Sequence, residues 1–303
     1  MMHDTLTDAI GNTPLIKINF DSPATIYAKL EYLNPSGSIK DRVALYIIEQ
    51  AEKKGRLKPG GTIIEASSGN QGIATAMIGA AKGYHVIITV SQKVSSEKKA
   101  AIQAYGAEVI VCPTTLLLED AASYHSRAMQ IHRNTPNSFM LNQYLNLDNA
   151  QAHYTLTGPE LWQQTKGTIT HLCAAVGSGG TISGTGAFLK EQNPRINVIA
   201  VDAAHSYRST CGKPKPSIIE GLGVELDSPV LNNAVIDEFL LAHDNESIAM
   251  AKYLAHNHGL LVGPASGAVA YTARSYAQDL TKNDTLVMLF TDSGRAYLSK
   301  GYY

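Results

Sequence analysis

Cysteine is scarce in this chain: the 303 residues include three, Cys112, Cys173 and Cys211, far apart and without paired spacing. That excludes a disulfide framework and a cysteine-built zinc site, and it fits a reducing, cytoplasmic compartment. An excess of one charge is also lacking. With 25 Lys and Arg against 26 Asp and Glu, nothing marks a nucleic-acid or membrane-surface partner. There is no long apolar run; the nearest, residues 72–90, is broken by Lys82, Gly83 and His85, so no membrane span is expected. Met1-Met2-His3-Asp4-Thr5 carries neither the basic stretch nor the apolar stretch of a secretory leader. Ten histidines, among them His125, His132, His153, His205, His256 and His258, show no metal-ligand spacing, and structural roles are expected for them.

What is present is alternation. Short β-rich runs at residues 26–30, 62–65, 85–90, 108–112, 171–176, 197–202 and 285–291 are interleaved with helical periodicity. The helices are expected at residues 39–54, 70–82, 95–105, 120–133, 149–166, 181–192, 247–258 and 266–280. Strand, helix, strand in succession predicts an α/β fold whose parallel sheets are covered on both faces, with ligands at the carboxyl ends of the strands. The length allows two compact lobes, and polar or proline-bearing connections near 142–149 and 208–217 are expected to cross between them or to form a flap.

Lys40 stands out. It follows the turn-rich run Asn34-Pro35-Ser36-Gly37-Ser38-Ile39 and opens a helical segment, so its ammonium is expected in a first turn. Amide N–H groups there favour anions, and with Arg42 two residues on they would lower the lysine pKa and make Lys40 a nucleophile. The plain alternative is a solvated lysine compensated by Asp41.

Three strand-to-helix junctions add to it. Gly177-Ser178-Gly179-Gly180-Thr181 follows a strand and leads into a helix, with glycines for close backbone approach and hydroxyls at a helix start, which reads as a phosphate cup, or else as a tight strand-to-helix turn. No lysine follows the glycines as in a Walker loop, and Ile182 stands where the third dinucleotide-fingerprint glycine belongs. Glu65-Ala66-Ser67-Ser68-Gly69-Asn70-Gln71-Gly72 offers hydroxyls, amides and free N–H groups suited to a carboxylate or a phenolate oxygen, or else merely caps a helix. Thr291-Asp292-Ser293-Gly294-Arg295 puts a further hydroxyl at a strand's end. Together these groups match the needs of pyridoxal 5′-phosphate: an amine for the aldehyde, donors for the phosphate, and partners for the ring oxygen and ring nitrogen.

At this point the sequence resembles a known family over its whole length. It is similar to the fold-type II pyridoxal-phosphate enzymes, in particular the cysteine synthase and cystathionine β-synthase group. The matching segments are Gly11-Asn12-Thr13-Pro14-Leu15, Lys29-Leu30-Glu31 with Asn34-Pro35, Ser38-Ile39-Lys40-Asp41-Arg42, Ser68-Gly69-Asn70 and Asn142-Gln143-Tyr144. Gly158-Pro159-Glu160, residues 177–181, Gly221-Leu222-Gly223 and Asp292-Ser293-Gly294 complete the set. The resemblance implies two lobes, each a mostly parallel twisted sheet flanked by helices: residues 1–38 with 146–303 as the larger cofactor-binding lobe, and 39–145 as a smaller mobile one. It implies Lys40 as the Schiff-base lysine and as acid and base at the substrate α-carbon. Asn70 would bond the ring's phenolic oxygen, Gly177, Ser178, Gly179, Gly180 and Thr181 would bind the phosphate, and Ser293 would face the pyridine nitrogen. Ser67, Ser68, Gln71 and Gln143 would clamp the substrate carboxylate, with Gly221 and Glu225 also at the substrate. The implied reaction is a ping-pong β-replacement: the β-substituent of O-acetylserine or serine leaves, sulfide or a thiol adds, and cysteine or cystathionine results. A homodimer working on small amino acids is implied as well.

Departures from the family pattern concern the substrate. Gln71 stands in place of the usual threonine, as does Ser67, and the longer glutamine would reshape the carboxylate clamp. Glu225 stands where sulfide-using enzymes carry small or apolar residues, and could meet the amino group of a second amino acid or lie solvated in its loop. The ending Asp292 to Lys300 is closer to the cystathionine β-synthase branch, and neither a C-terminal regulatory pair of domains nor a heme-binding extension is expected. Alternatives are β-elimination on cysteine, another nucleophile, or a catalytically silent relative that binds a partner through the cleft. An NAD-dependent oxidoreductase with Asp202 as ribose acid would leave Lys40 and the Asn70 loop without a role.

Overall fold

The apolar runs build two sheets in this computed structural model, which describes residues 2–67, 69–115, 119–223 and 226–303. The chain opens with β1 (Leu15–Ile18), β2 (Thr25–Leu30) and α1 (Lys40–Lys53). It continues through β3 (Thr62–Ala66), α2 (Asn70–Lys82), β4 (His85–Ser91), α3 (Ser96–Ala104), β5 (Glu108–Cys112), α4 (Tyr124–Asn134) and β6 (Ser138–Met140). After α5 (Asp148–Ala152) and α6 (Gly158–Gln164) come β7 (His171–Ala175), α7 (Gly180–Gln192) and β8 (Asn197–Ala203). The last elements are β9 (Glu238–Ala242), α8 (Asp244–His258), α9 (Pro264–Tyr276) and β10 (Thr285–Phe290), before a 3₁₀ turn over Gly294–Lys300.

The smaller sheet runs β5-β4-β3-β6 and is parallel throughout; the larger runs β1-β2-β10-β7-β8-β9, with only the β1–β2 pair antiparallel. Each order reverses once. In the smaller sheet the chain steps from β3 to β5 in one direction and returns to β6 on the other side of β3; in the larger it steps from β7 to β9 and returns to β10 beside β7. Crossovers on either side of such a point leave a crevice at the strands' carboxyl ends. The Asn70 loop follows β3 and the glycine-rich loop follows β7, so both motifs lie at these reversals.

The core follows from the helical and strand periods. Val43, Ala44, Ile47, Ile48 and Ala51 bring one side of α1 to zero exposure against the smaller sheet, each of the larger side chains contributing about 1.5–3 kcal/mol of burial. The larger sheet is covered on both faces, which is why β7, β8 and β10 are almost continuously apolar.

Three strands go beyond the sequence expectation. β1 is four residues with Lys17 in it and β6 is three residues, while β9 is an edge strand with partly exposed side chains; none presents a long apolar run. The helix expected over 149–166 is instead α5, a π-helical turn over His153–Thr157, and α6. Pro159 supplies no N–H to a regular ladder at that point, and the wider turn precedes it. The start of α4 falls at Tyr124 rather than near 120, because Ser123 caps it by accepting from the Ser126 N–H at 3.0 Å.

Candidate active site

Lys40 is the first residue of α1. The turn before it is pinned to the end of β10, since the Ile39 N–H donates to the Thr291 carbonyl at 2.9 Å and Ser38 bridges Asp292. The half-buried side chain lines a cavity of about 270 Å³. Among the described residues its ammonium has no hydrogen bond or ion pair. Burial pushes its pKa down to about 8, opposed by the charge of Glu65. The downward direction expected from the sequence holds, with burial as its main cause, and Arg42 is turned away. Its guanidinium bonds Glu31 at 2.8 Å through Nε and Nη2 and reaches Glu160 at 2.8 Å through Nη1, in a buried cluster that also holds Lys29 and Thr13. Lys29 Nζ meets Glu160 Oε1 there as well. Asp41, offered as the compensating acid, is instead bound by the Ser36 hydroxyl and by the Ser36 N–H at 2.7 Å.

Glu65, the buried acid near the end of β3, is a functional candidate that sequence reasoning passed over. Its carboxylate accepts from the N–H of Asn142 at 2.7 Å and of Gln143 at 3.4 Å, which fastens the segment after β6. Burial raises its pKa to about 8, against the pull of those N–H groups and of Lys40. An acid inside an otherwise apolar strand was the available signal.

Around the Lys40 ammonium the cavity is lined by Ser67, Asn70, Gln71, Gln143, Gly177, Ser178 and Gly221. Ser67 and Gln71 are buried, and the Ser67 hydroxyl accepts from the Gly69 N–H at 3.2 Å. Gln71 Nε2 reaches Thr75 Oγ1 at 3.5 Å, while its buried Oε1 has no partner among the described residues. Asn70, the first residue of α2, donates from Nδ2 to Asp292 Oδ2 at 2.7 Å. Ser68 and Glu225 lie outside the described residues. Lys98 and Glu220 also line the cavity, joined at 2.6 Å; Lys98 gives no sequence signal, being one of two adjacent lysines in α3.

The glycine-rich loop turns sharply. Gly179 has φ +90°, and a Cβ there would come 2.7 Å from Leu231 Cβ; at Gly177 one would meet the Gly221 carbonyl oxygen at 2.9 Å. The backbone N–H groups of residues 177–182 donate to nothing among the described residues, so a row of free donors opens α7. Gly179, Gly180 and Thr181 continue from the cavity wall into the helix and are not themselves on the wall.

Ser293 follows Asp292 in the segment after β10. It lines a neighbouring cavity with Tyr32 and Arg295, and its Oγ accepts from the Arg295 N–H at 3.2 Å, capping the last 3₁₀ turn. Side chains alternate in extended backbone, so it is the preceding Asp292 that faces Asn70. Asp202, the ribose acid of the oxidoreductase alternative, is buried and spends its carboxylate on the Ala203 N–H at 2.8 Å and the Ser206 hydroxyl at 2.7 Å.

A lone amine of lowered pKa beside a row of free amides, at the crevice between two parallel sheets, defines a class of enzyme. The chain belongs to the pyridoxal-phosphate-dependent enzymes: the model of that family matches residues 6–292. Among its relatives, it is 42% identical to the cystathionine beta-synthase of Apis mellifera over 99% of this chain, and spans 61% of that protein's length. It is 38% identical to the cysteine synthase of Staphylococcus aureus, covering 99% of this chain and 97% of that one. The crystal structure of an O-acetylserine dependent cystathionine beta-synthase from Helicobacter pylori superposes with a TM-score of 0.93, at 39% identity, over 100% of this chain and 99% of that one.

Proposed function

We propose that this protein carries out a pyridoxal-phosphate-dependent β-replacement on O-acetylserine or serine, with sulfide or a thiol as the incoming group, giving cysteine or cystathionine. The observation that carries the reading is Lys40, an amine without a partner among the described residues, facing the same cavity as the glycine-rich loop and the Asn70 loop. The residues fit the cofactor: the free N–H groups of 177–182 suit a phosphate, and the unpartnered Gln71 Oε1 leaves a buried polar atom for a ligand to satisfy. When bound, the cofactor supplies an electron sink for chemistry at the α-carbon.

In this reading Lys40 holds the cofactor through its amine, is released by the incoming amino acid, then takes and returns the α-proton. Its low pKa supports that exchange, because near pH 8 a substantial share of the amine is neutral. Ser67, Gln71 and Gln143 orient the substrate carboxylate, Asn70 meets the ring oxygen, and Gly177, Ser178, Gly179, Gly180 and Thr181 hold the phosphate. Ser293 faces the pyridine nitrogen in this reading: its oxygen accepts the Arg295 N–H, which leaves its own proton to donate. We further infer that residues 39–145 act as a smaller lobe whose closure excludes water, in keeping with their separate sheet. A homodimer working in the cytoplasm completes the reading, as the family resemblance implies.

The test is spectroscopic. The protein loaded with pyridoxal 5′-phosphate should show a visible band that disappears in Lys40→Ala, and O-acetylserine or serine should change that band while sulfide or a thiol restores it. A colourless loaded protein, or silence towards every β-substituted amino acid, would overturn the proposal.

A further inference from the structure

The two hydroxyls of the glycine-rich loop each end against a fully buried side chain from one helical face. Asn149, on α5, and His153, opening the π-helical turn, are both 0% exposed and four residues apart, so they stand one above the other. Asn149 Nδ2 donates to Ser178 Oγ at 2.9 Å and to the Gln143 carbonyl oxygen at 2.8 Å. A carbonyl only accepts, which fixes the orientation of the amide, and so Ser178 Oγ receives an N–H. His153 Nε2 lies 3.1 Å from Thr181 Oγ1, and Nδ1 lies 2.9 Å from Thr157 Oγ1. Burial holds the ring neutral, the charges of Lys40 and Arg42 acting in the same direction, so a single ring nitrogen carries the proton. The fit is close. A Cβ on Gly180 would lie 2.1 Å from Asn149 Oδ1, and one on Gly184 only 1.9 Å from the Ala150 carbonyl oxygen, so glycines let α7 rest directly on this helix.

A hydroxyl whose oxygen has received an N–H still has its own proton to give. We propose that Asn149 and His153 are positioning residues of the anion cup, each donating an N–H to a loop hydroxyl and so aiming the Ser178 and Thr181 protons at a bound phosphate. His153 acts as the Nε2–H tautomer, with Thr157 donating to Nδ1. The opposite tautomer would take the Thr181 proton and turn oxygen lone pairs towards an anion. The inference rests on the reading of residues 177–181 as the phosphate site.

The experiment measures the affinity of the unloaded full chain for inorganic phosphate and for pyridoxal 5′-phosphate by titration calorimetry. It compares the unmodified protein with His153→Phe, Thr181→Val and the double variant. Loss of one hydrogen bond to the cup is expected to weaken binding about tenfold in His153→Phe. In the Thr181→Val background the same substitution should cost little further, because its partner is gone; an equal loss in both backgrounds would mean that His153 only packs, and the inference would fall. Nitrogen-15 NMR of the His153 ring in the unmodified protein with phosphate needs no variant: Nε2–H is expected, and Nδ1–H overturns the proposal. If the unmodified protein binds neither ligand, the phosphate reading itself fails, which is a different result.

Discussion

In the proposed reading Lys40 reacts only as the free amine, so its titration would set when the protein can take up cofactor. With the pKa brought down to about 8 by burial, the neutral fraction grows about tenfold per pH unit below that value and levels off above it. The rate at which the unloaded protein gains visible absorbance with pyridoxal 5′-phosphate should follow that curve between pH 6 and 10. A curve still climbing towards the ordinary lysine value of 10.5 would identify Lys40 as solvated. At this scale the sequence was informative because glycines and hydroxyls at a strand's end have few other uses; hence the loop at residues 177–181 was legible. The roles of Asn149, His153 and Asp292 were not, since each acts through a side chain distant in sequence, such as Ser178, Thr181 and Asn70.

Among the elements, α1 carries the lysine, and its placement depends on charges one turn below the cavity. Arg42 is 2% exposed, between Glu31 and Glu160, with Lys29 completing the cluster. Burial alone would raise the Glu31 pKa, yet the charge and hydrogen bonds of Arg42, with Lys29 and the Thr13 hydroxyl, together outweigh it and bring the value down to about 2. Arg42→Met would leave Glu31 buried without its counter-charge, and a loss of about 3–5 kcal/mol in urea unfolding is expected. A loss below about 1 kcal/mol would show that the cluster does not anchor α1. Strand and helix periods located most elements; the exceptions were short or edge strands, and the π-helical turn, whose geometry is set by packing against the glycines of α7.

Across the whole molecule, the two sheets are fastened by contacts far apart in the chain. Lys98 Nζ donates to Tyr297 Oη at 2.8 Å, Tyr297 Oη donates to Asp292 Oδ2 at 2.5 Å, and Asp292 Oδ2 also receives the Asn70 amide. Glu97 accepts from the Ser299 N–H at 2.7 Å and the Ser299 hydroxyl at 2.6 Å, and Ser95 Oγ donates to the Ala296 carbonyl at 3.0 Å. Tyr297→Phe keeps the ring and removes the hydroxyl that joins Lys98 to Asp292. The expected result is a loss of about 1–3 kcal/mol by chemical denaturation, because Asp292 Oδ2 keeps only the Asn70 amide as donor. An unchanged midpoint would place the fastening elsewhere.

The amino-acid sequence alone determined the class of fold and pointed to Lys40 and the glycine-rich loop, because strand and helix periods and strand-end glycines are local properties. The tertiary structure alone supplied the burial that lowers the Lys40 pKa and turned Arg42 towards Glu31 and Glu160. It also turned Ser293 to its own cap and Asp292 to Asn70. The Lys40 shift depends on desolvation and the Asp292 contact on a hydrogen bond to Asn70, 222 positions away, and both exist only once the two sheets have closed around the cavity.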